Sequence, residues 1–191
     1  MEKSIILNFI ISFSAFGRVQ RTFGKIRATL NTGFNYNKIN QFIQDRRSVN
    51  ESFTQTYTPA LRTNFKIAPN VGIEYKYSVS KNSQGNNQTN FYTISPSINF
   101  DAYIWKSLTF VTDYSFTSQR RAGRQENSFE TWDASIAYRK DKDSKWEYAL
   151  KATNILDNEV KVDNIATNLF VSSVQTFIQP RFLTLRIIYN L

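Results

Sequence analysis

The amino-acid sequence predicts an all-β fold: an antiparallel up-and-down transmembrane β-barrel, or an open arc of about eight to nine strands taken from a larger one. Three observations point there. Apolar and polar residues alternate with a period of two along most of the chain, which places them on opposite faces of strands. The charged residues of those strands gather on the polar parity. The stretches between strands alternate between short and long, as periplasmic turns and external loops do.

The bulk composition is compatible with this and excludes much else. The 191 residues are 41% hydrophobic with a mean hydropathy of −0.43, and no apolar run is long enough for a transmembrane helix. A membrane barrel escapes that exclusion because only every second strand residue meets lipid. Aromatic residues make up 15% of the chain, which suits interfacial girdles. There is no Cys and no His. Disulfides, thiolate metal sites, cysteine nucleophiles and the commonest general base are therefore excluded. No catalytic residue, cofactor or metal site is expected, and the chain is read as a non-enzyme. The net charge of +9 comes from scattered basic residues, so the expected anionic partner is outer-leaflet lipopolysaccharide and not nucleic acid.

Residues 1–17 have two readings. Glu2 and Lys3, the apolar run over 5–16 and the closing Ala15-Phe16-Gly17 are signal-peptide-like. Alternatively Ile5, Leu7, Phe9, Ile11, Phe13 and Ala15 form one face of a first strand. From Gly24 onward Ile26, Ala28, Leu30, Phe34 and Tyr36 alternate with polar residues. The next strands follow Phe53–Tyr57–Leu61–Phe65, Val71–Ile73–Tyr75–Tyr77–Val79 and Tyr92–Ile94–Ile98–Phe100. After them come Leu108–Phe110–Tyr114–Phe116, Trp132–Ala134–Ile136–Tyr138 and Trp146–Tyr148–Leu150–Ala152. The last strand carries Leu183, Leu185, Ile187, Tyr189 and Leu191. Turns are expected at 67–70, 104–106 and 140–144, and longer polar loops at 37–51, 81–90, 119–129 and 154–175. Pro59 and Pro96 fall inside strands, where a ladder donor is missing, so local unpairing or a bulge is expected at each.

The expected lumen-facing charges are Arg27, Arg62, Lys66, Glu74, Lys76, Asp101, Asp113, Asp133, Arg139, Glu147, Lys151 and Arg186. A bilayer would impose this segregation, since Arg or Lys facing lipid at the midplane costs about 2–4 kcal/mol. Arg181 alone breaks the parity in these strands. It is expected at the lipid interface together with Trp132, Tyr138, Trp146 and Tyr189. Arg46, Arg47, Arg120, Arg121 and Arg124 fall in expected external loops, within reach of lipopolysaccharide phosphates. Asp141 and Asp143 alternate with lysines in a charged turn, read as solvated and not as a cation site.

With the strands placed, WDASIAYRKDKDSKWEYALKATNILDNEV (132–160) and FIQPRFLTLRIIYNL (177–191) resemble the C-terminal end of Bacteroidota-type TonB-dependent receptors, in the outer-membrane β-barrel family. The resemblance extends over roughly residues 18–191. It implies the barrel end of an outer-membrane importer for bulky nutrients of the siderophore or oligosaccharide class. It also implies an N-terminal plug and further barrel strands as partners, with TonB engaged through those parts. Two alternatives are a complete eight-stranded barrel serving as anchor or minor pore, and a soluble β-module with an apolar pocket.

Overall fold

The computed structural model describes residues 10–43, 46–66, 69–105, 107–141, 143–166 and 171–189. Among them the regular structure is entirely strand: β1 (Ile10–Phe23), β2 (Ile26–Ile43), β3 (Arg46–Thr63), β4 (Asn70–Gln84), β5 (Asn87–Ile104), β6 (Leu108–Arg121), β7 (Arg124–Tyr138), β8 (Trp146–Thr153), β9 (Val160–Ala166), β10 (Val171–Phe177) and β11 (Phe182–Tyr189). Nine strands form one sheet in the order β1-β2-β3-β4-β5-β6-β7-β8-β11. Every neighbouring pair is antiparallel. β9 and β10 pair with each other as a separate hairpin between β8 and β11. The sheet is open, with β1 and β11 as its edges.

The period-two pattern becomes two faces because the register holds it in line from strand to strand. Ala28, Leu61, Ile73, Ile98, Tyr114 and Trp132 stand side by side in one row across β2 to β7. Phe110, Ile136, Leu150 and Leu185 form another across β6, β7, β8 and β11. The opposite face is built from hydroxyls and amides, with bonds such as Ser115 Oγ to Thr131 Oγ1 at 2.6 Å and Thr56 Oγ1 to Ser78 Oγ at 3.2 Å. Among the described residues no strand packs over the apolar rows. Among the described residues the only buried hydrophobics are Val79, Phe91 and Ala102, while Leu183 and Leu185 are each 67% exposed. A soluble sandwich would bury such rows against a second layer.

The turns follow from local chemistry. Gly24 (φ 59) and Gly85 (φ 58) take the first central position of tight hairpins, a left-handed conformation that glycine adopts without steric cost. Between β3 and β4, Asn70 closes the turn by accepting from the Phe65 N–H at 2.6 Å and donating to the Phe65 carbonyl at 3.3 Å. Pro59 pairs with Leu30 on β2, and the β3–β4 ladder skips Thr58 and Pro59. Pro96 likewise pairs with Tyr75 on β4, and the β5–β6 ladder skips Ser95 and Pro96. The expected unpairing therefore falls on one side of each proline.

Several expectations change. β1 starts at Ile10, which makes 10–17 strand, and continues to Phe23; residues 1–9 lie outside the described residues. The stretches 37–51, 81–90 and 119–129 are mostly paired strand ends, not loops. Above the apolar rows both faces are polar, so the sequence period vanishes while the backbone ladder continues. Tyr36, Phe53 and Trp132 consequently lie inside strands and not at their ends. Lys66 and Arg139 fall beyond β3 and β7, in the connecting turns and not on a strand face. Leu191 lies outside the described residues.

Candidate functional site

The polar face carries ten of the twelve charges expected there, and the register sorts them. Arg27, Arg62, Gly72, Asn99, Asp113 and Asp133 form a single row across β2 to β7. Arg27 is directly opposite Arg62, and Asp113 directly opposite Asp133. Like charges in that position repel, so each pair needs other partners. Arg62 reaches Asp101 at 3.9 Å, and Asp101 also accepts from Asn70 Nδ2 at 3.1 Å. Asp133 Oδ1 accepts from the Asn154 backbone N–H at 2.8 Å. Lys76 and Glu74 share this face on β4, Glu147 and Lys151 on β8, and Arg186 on β11. The β2–β3 side is thus cationic, β5–β7 anionic, and β8–β11 mixed. No group of three or more potential metal ligands occurs among the described residues.

A feature the sequence did not reveal lies over this face. β9 is held against β6 and β7 by side-chain amides that pair with its backbone. Gln119 donates from Nε2 to the Asn164 carbonyl at 2.8 Å and accepts the Asn164 N–H at 3.1 Å. Asn127 Nδ2 donates to the Val162 carbonyl at 2.7 Å. Together Phe91, Thr93, Ser80, Gln119, Asn164 and Ile165 line a cavity of about 250 Å³ between hairpin and sheet. Phe91, on the polar parity, is buried beneath it. At the base of the hairpin, Asn154 Nδ2 donates to the Asn158 and Gln179 carbonyls, each at 2.9 Å, and its Oδ1 accepts the Asn158 N–H at 3.1 Å. The Asn154-Ile155-Leu156-Asp157 segment was visible in the sequence, but the reach of Gln119 and Asn127 was not.

On the apolar face, charge returns where the apolar rows stop. Tyr114 donates from its hydroxyl to Glu130 Oε2 at 3.2 Å, one row above Trp132. On β2 and β3 the same parity ends at the Lys38–Glu51 pair, 2.6 Å apart. Following the register, Glu130 falls in the row of Leu30, four rows below Lys38. Four rows are about 26 Å along a strand, and the five strand spacings between β7 and β2 about 24 Å. The upper edge of the apolar band therefore crosses the strands at about 45°, close to the tilt of transmembrane barrel strands.

No protein-family model matches the chain, and no curated protein matches it. The chain is similar to a solved structure, OmpT (in-vitro folded), an outer membrane protein of Vibrio cholerae, with a TM-score of 0.51 and 10% identity over 93% of this chain and 55% of that one. The fold is that of an outer-membrane β-barrel, present as an open arc. The chain spans about half the length of this structural relative.

Within that fold the expected interfacial residues cluster at two levels. Trp146 lies 4.8 Å from Tyr189 and stacks on Tyr148 at 6.4 Å, with Lys145 Nζ 5.7 Å from the Tyr189 ring. Tyr138, opposite Tyr148, ends β7 at this rim. Trp132 and Arg181 stand at the upper limit of the apolar run, Trp132 donating from Nε1 to Thr112 Oγ1 at 2.9 Å. Arg120 and Arg121 end β6 and Arg124 begins β7, around a two-residue turn at Ala122 and Gly123. Arg121 lies 5.9 Å from the Phe91 ring on the polar face. Arg46 and Arg47 begin β3, and their side chains lie outside the described residues.

Proposed function

We propose that this chain is an arc of an outer-membrane β-barrel, with the Ile73–Ile136 face against lipid and the Arg62–Asp133 face toward an aqueous lumen. The observation that carries this is the oblique apolar band. A soluble sheet has no reason to shift its apolar limit progressively in one direction from β2 to β7, whereas strands tilted in a flat bilayer must. The charges on the polar parity from Arg27 to Arg186 then line the lumen, and Trp132, Tyr138, Trp146, Arg181 and Tyr189 meet the interfaces.

β1 and β11 both run toward the rim that holds the Gly24–Lys25 turn and the β7–β8 connection, so pairing them with each other would make a parallel ladder. Antiparallel closure requires an odd number of further strands, and bacterial single-chain barrels have even counts. An unpaired edge in hydrocarbon leaves backbone groups unsatisfied. This supports an arc of a larger barrel over a complete small one. With the resemblance of 132–160 and 177–191, the function proposed is the barrel end of a TonB-dependent importer of bulky solutes of the siderophore or oligosaccharide class. Its partners would be outer-membrane lipids including lipopolysaccharide, a plug and strands that complete the barrel, and TonB through those parts.

Flotation of the refolded chain with phospholipid vesicles tests the membrane assignment, with Trp132 and Trp146 read by quenching from lipids brominated near the headgroup. A chain that stays at the bottom of the gradient overturns it. The importer assignment predicts that deleting the gene abolishes energy-dependent uptake of a bulky solute while small-solute permeability is kept. Equal loss of both would indicate a passive pore.

A further inference from the structure

The apolar face carries a charge one row from the lower rim of its band. Arg21 on β1 shares a row with Ala28, Leu61 and Ile73, one row above the Phe23–Ile26 pair that closes against the turn. Its guanidinium lies 5.0 Å from the Phe23 ring, and among the described residues no carboxylate pairs with it. Beside it is a groove of about 570 Å³ lined by Val19, Leu30, Pro59, Leu61 and Tyr75 as well as Arg21, with polar surface almost absent. The sequence accounts for the depression. Ala28 puts a methyl group where its row neighbours carry large side chains, and the β3–β4 ladder is interrupted at Pro59. The volume is in the ~300–1,000 Å³ range of small-molecule sites.

We propose that this groove is a phospholipid site, with an acyl chain lying over Ala28 and the lipid phosphate on Arg21. The inference rests on the membrane assignment above. The charge complementarity is direct: a guanidinium presents a fork of donors that matches a phosphate, and a cation in an apolar band draws its head toward the interface. Arg21 is close to the Gly24–Lys25 turn, at the rim opposite the one where the strands run on past the apolar band; in barrels of this kind the protruding rim is external, which makes the Arg21 rim periplasmic. The occupant is therefore a glycerophospholipid of the periplasmic leaflet and not lipopolysaccharide. Exposed Lys25 at the same strand end adds a second positive charge for the headgroup.

Native mass spectrometry of the full chain in detergent micelles supplied with long-chain phosphatidylglycerol tests the site. The wild type should retain one lipid. Arg21→Gln should reduce that occupancy about tenfold, and Arg21→Lys should restore part of it. Ala28→Phe fills the groove without touching the charge and should also reduce occupancy, as should a six-carbon-chain analogue in place of the long-chain lipid. Arg18→Gln, on the other face of β1, should change nothing. Excess inorganic phosphate should not displace the lipid, because the acyl chain supplies much of the binding. Retention that is the same in wild type, Arg21→Gln and Ala28→Phe overturns the site. Strand content by circular dichroism separates lost binding from lost folding. If the chain floats with vesicles but the variants retain lipid normally, only this site falls. If it does not float, the membrane assignment falls with it.

Discussion

Arg181 and Asp157 are joined where the apolar run of the last strand ends. The Arg181 backbone N–H donates to Asp157 Oδ1 at 2.8 Å, and its guanidinium lies 3.8 Å from Asp157 Oδ2. The carboxylate satisfies the one charge that the sequence placed on the apolar parity, just above Leu183. Both side chains are about half exposed or more, so the ion pair itself adds little; exposed pairs contribute about 0–1 kcal/mol. Its value is positional, marking the level at which β11 leaves the apolar band.

The assignment of faces predicts a labelling pattern. Phe110, Ile136 and Leu185 share one register row. Cysteines at these positions should react with lipid-soluble thiol reagents and resist water-soluble ones in a bilayer. A cysteine at Ser135, on the opposite face between them, should react with the water-soluble reagent. The reverse pattern would place the apolar face inside a soluble barrel.

What the sequence made legible follows from where its period survives. Within the apolar band the alternation identified each strand and its parity, and the unpairing at Pro59 and Pro96 followed from the missing donors. Above the band it failed. Lys38, Glu51, Lys81 and Glu130 all continue the apolar parity, but with polar neighbours on both faces they read as loop. Arg21 was missed for a related reason, since Arg18 and Gln20 on one parity and Arg21 on the other hide the strand. The β9–β10 hairpin was unreadable because its anchors, Gln119 and Asn127, are about 40 residues away in sequence and act on backbone groups.

Depth along β7 gives a second prediction. Ile136 is central in the run from Trp132 to Tyr138, whereas Glu130 stands above it. Ile136→Arg should destabilise the membrane-inserted state by about 2–4 kcal/mol, and Glu130→Arg by about 0–1 kcal/mol. Denaturant titration of vesicle-bound protein measures both. Equal costs at the two positions would contradict an apolar limit between Glu130 and Trp132.

Asn154 is the most constrained residue of the β8–β11 connection. It is buried, adopts φ 51, and its side chain makes three hydrogen bonds. Asn154→Ala should cost about 2–4 kcal/mol, combining unsatisfied carbonyls with a left-handed backbone that alanine resists. Asn154→Gly removes the bonds but tolerates the backbone and should cost less. Limited proteolysis within 154–181 should accelerate in that order, alanine faster than glycine.

The hairpin should come away without the sheet. Gln119→Ala and Asn127→Ala together remove the amide bonds from β6 and β7 to β9, leaving the β9–β10 pairing itself intact. Hydrogen exchange at the Asn164 amide, whose acceptor is Gln119 Oε1, should rise at least tenfold, while the amides of the β6–β7 ladder keep their protection. Loss of protection in both would mean that the hairpin and the sheet fold as one unit.

The edges decide between an arc and a closed barrel. Val19 and Leu30 are register partners on β1 and β2, so cysteines at that pair are near enough to be cross-linked within one chain. Val19 and Leu185 lie on β1 and β11, at opposite edges of the sheet and each about two rows above the lower strand end. If further strands separate those edges, cysteines at Val19 and Leu185, or at Phe23 and Tyr189, should stay uncross-linked under the same oxidation. A nine-stranded closure would have to join two strands running the same way, giving slanted parallel hydrogen bonds at a single seam. A β1–β11 disulfide formed within the chain in membranes would show that seam and overturn the arc, because no intervening strand could then be present.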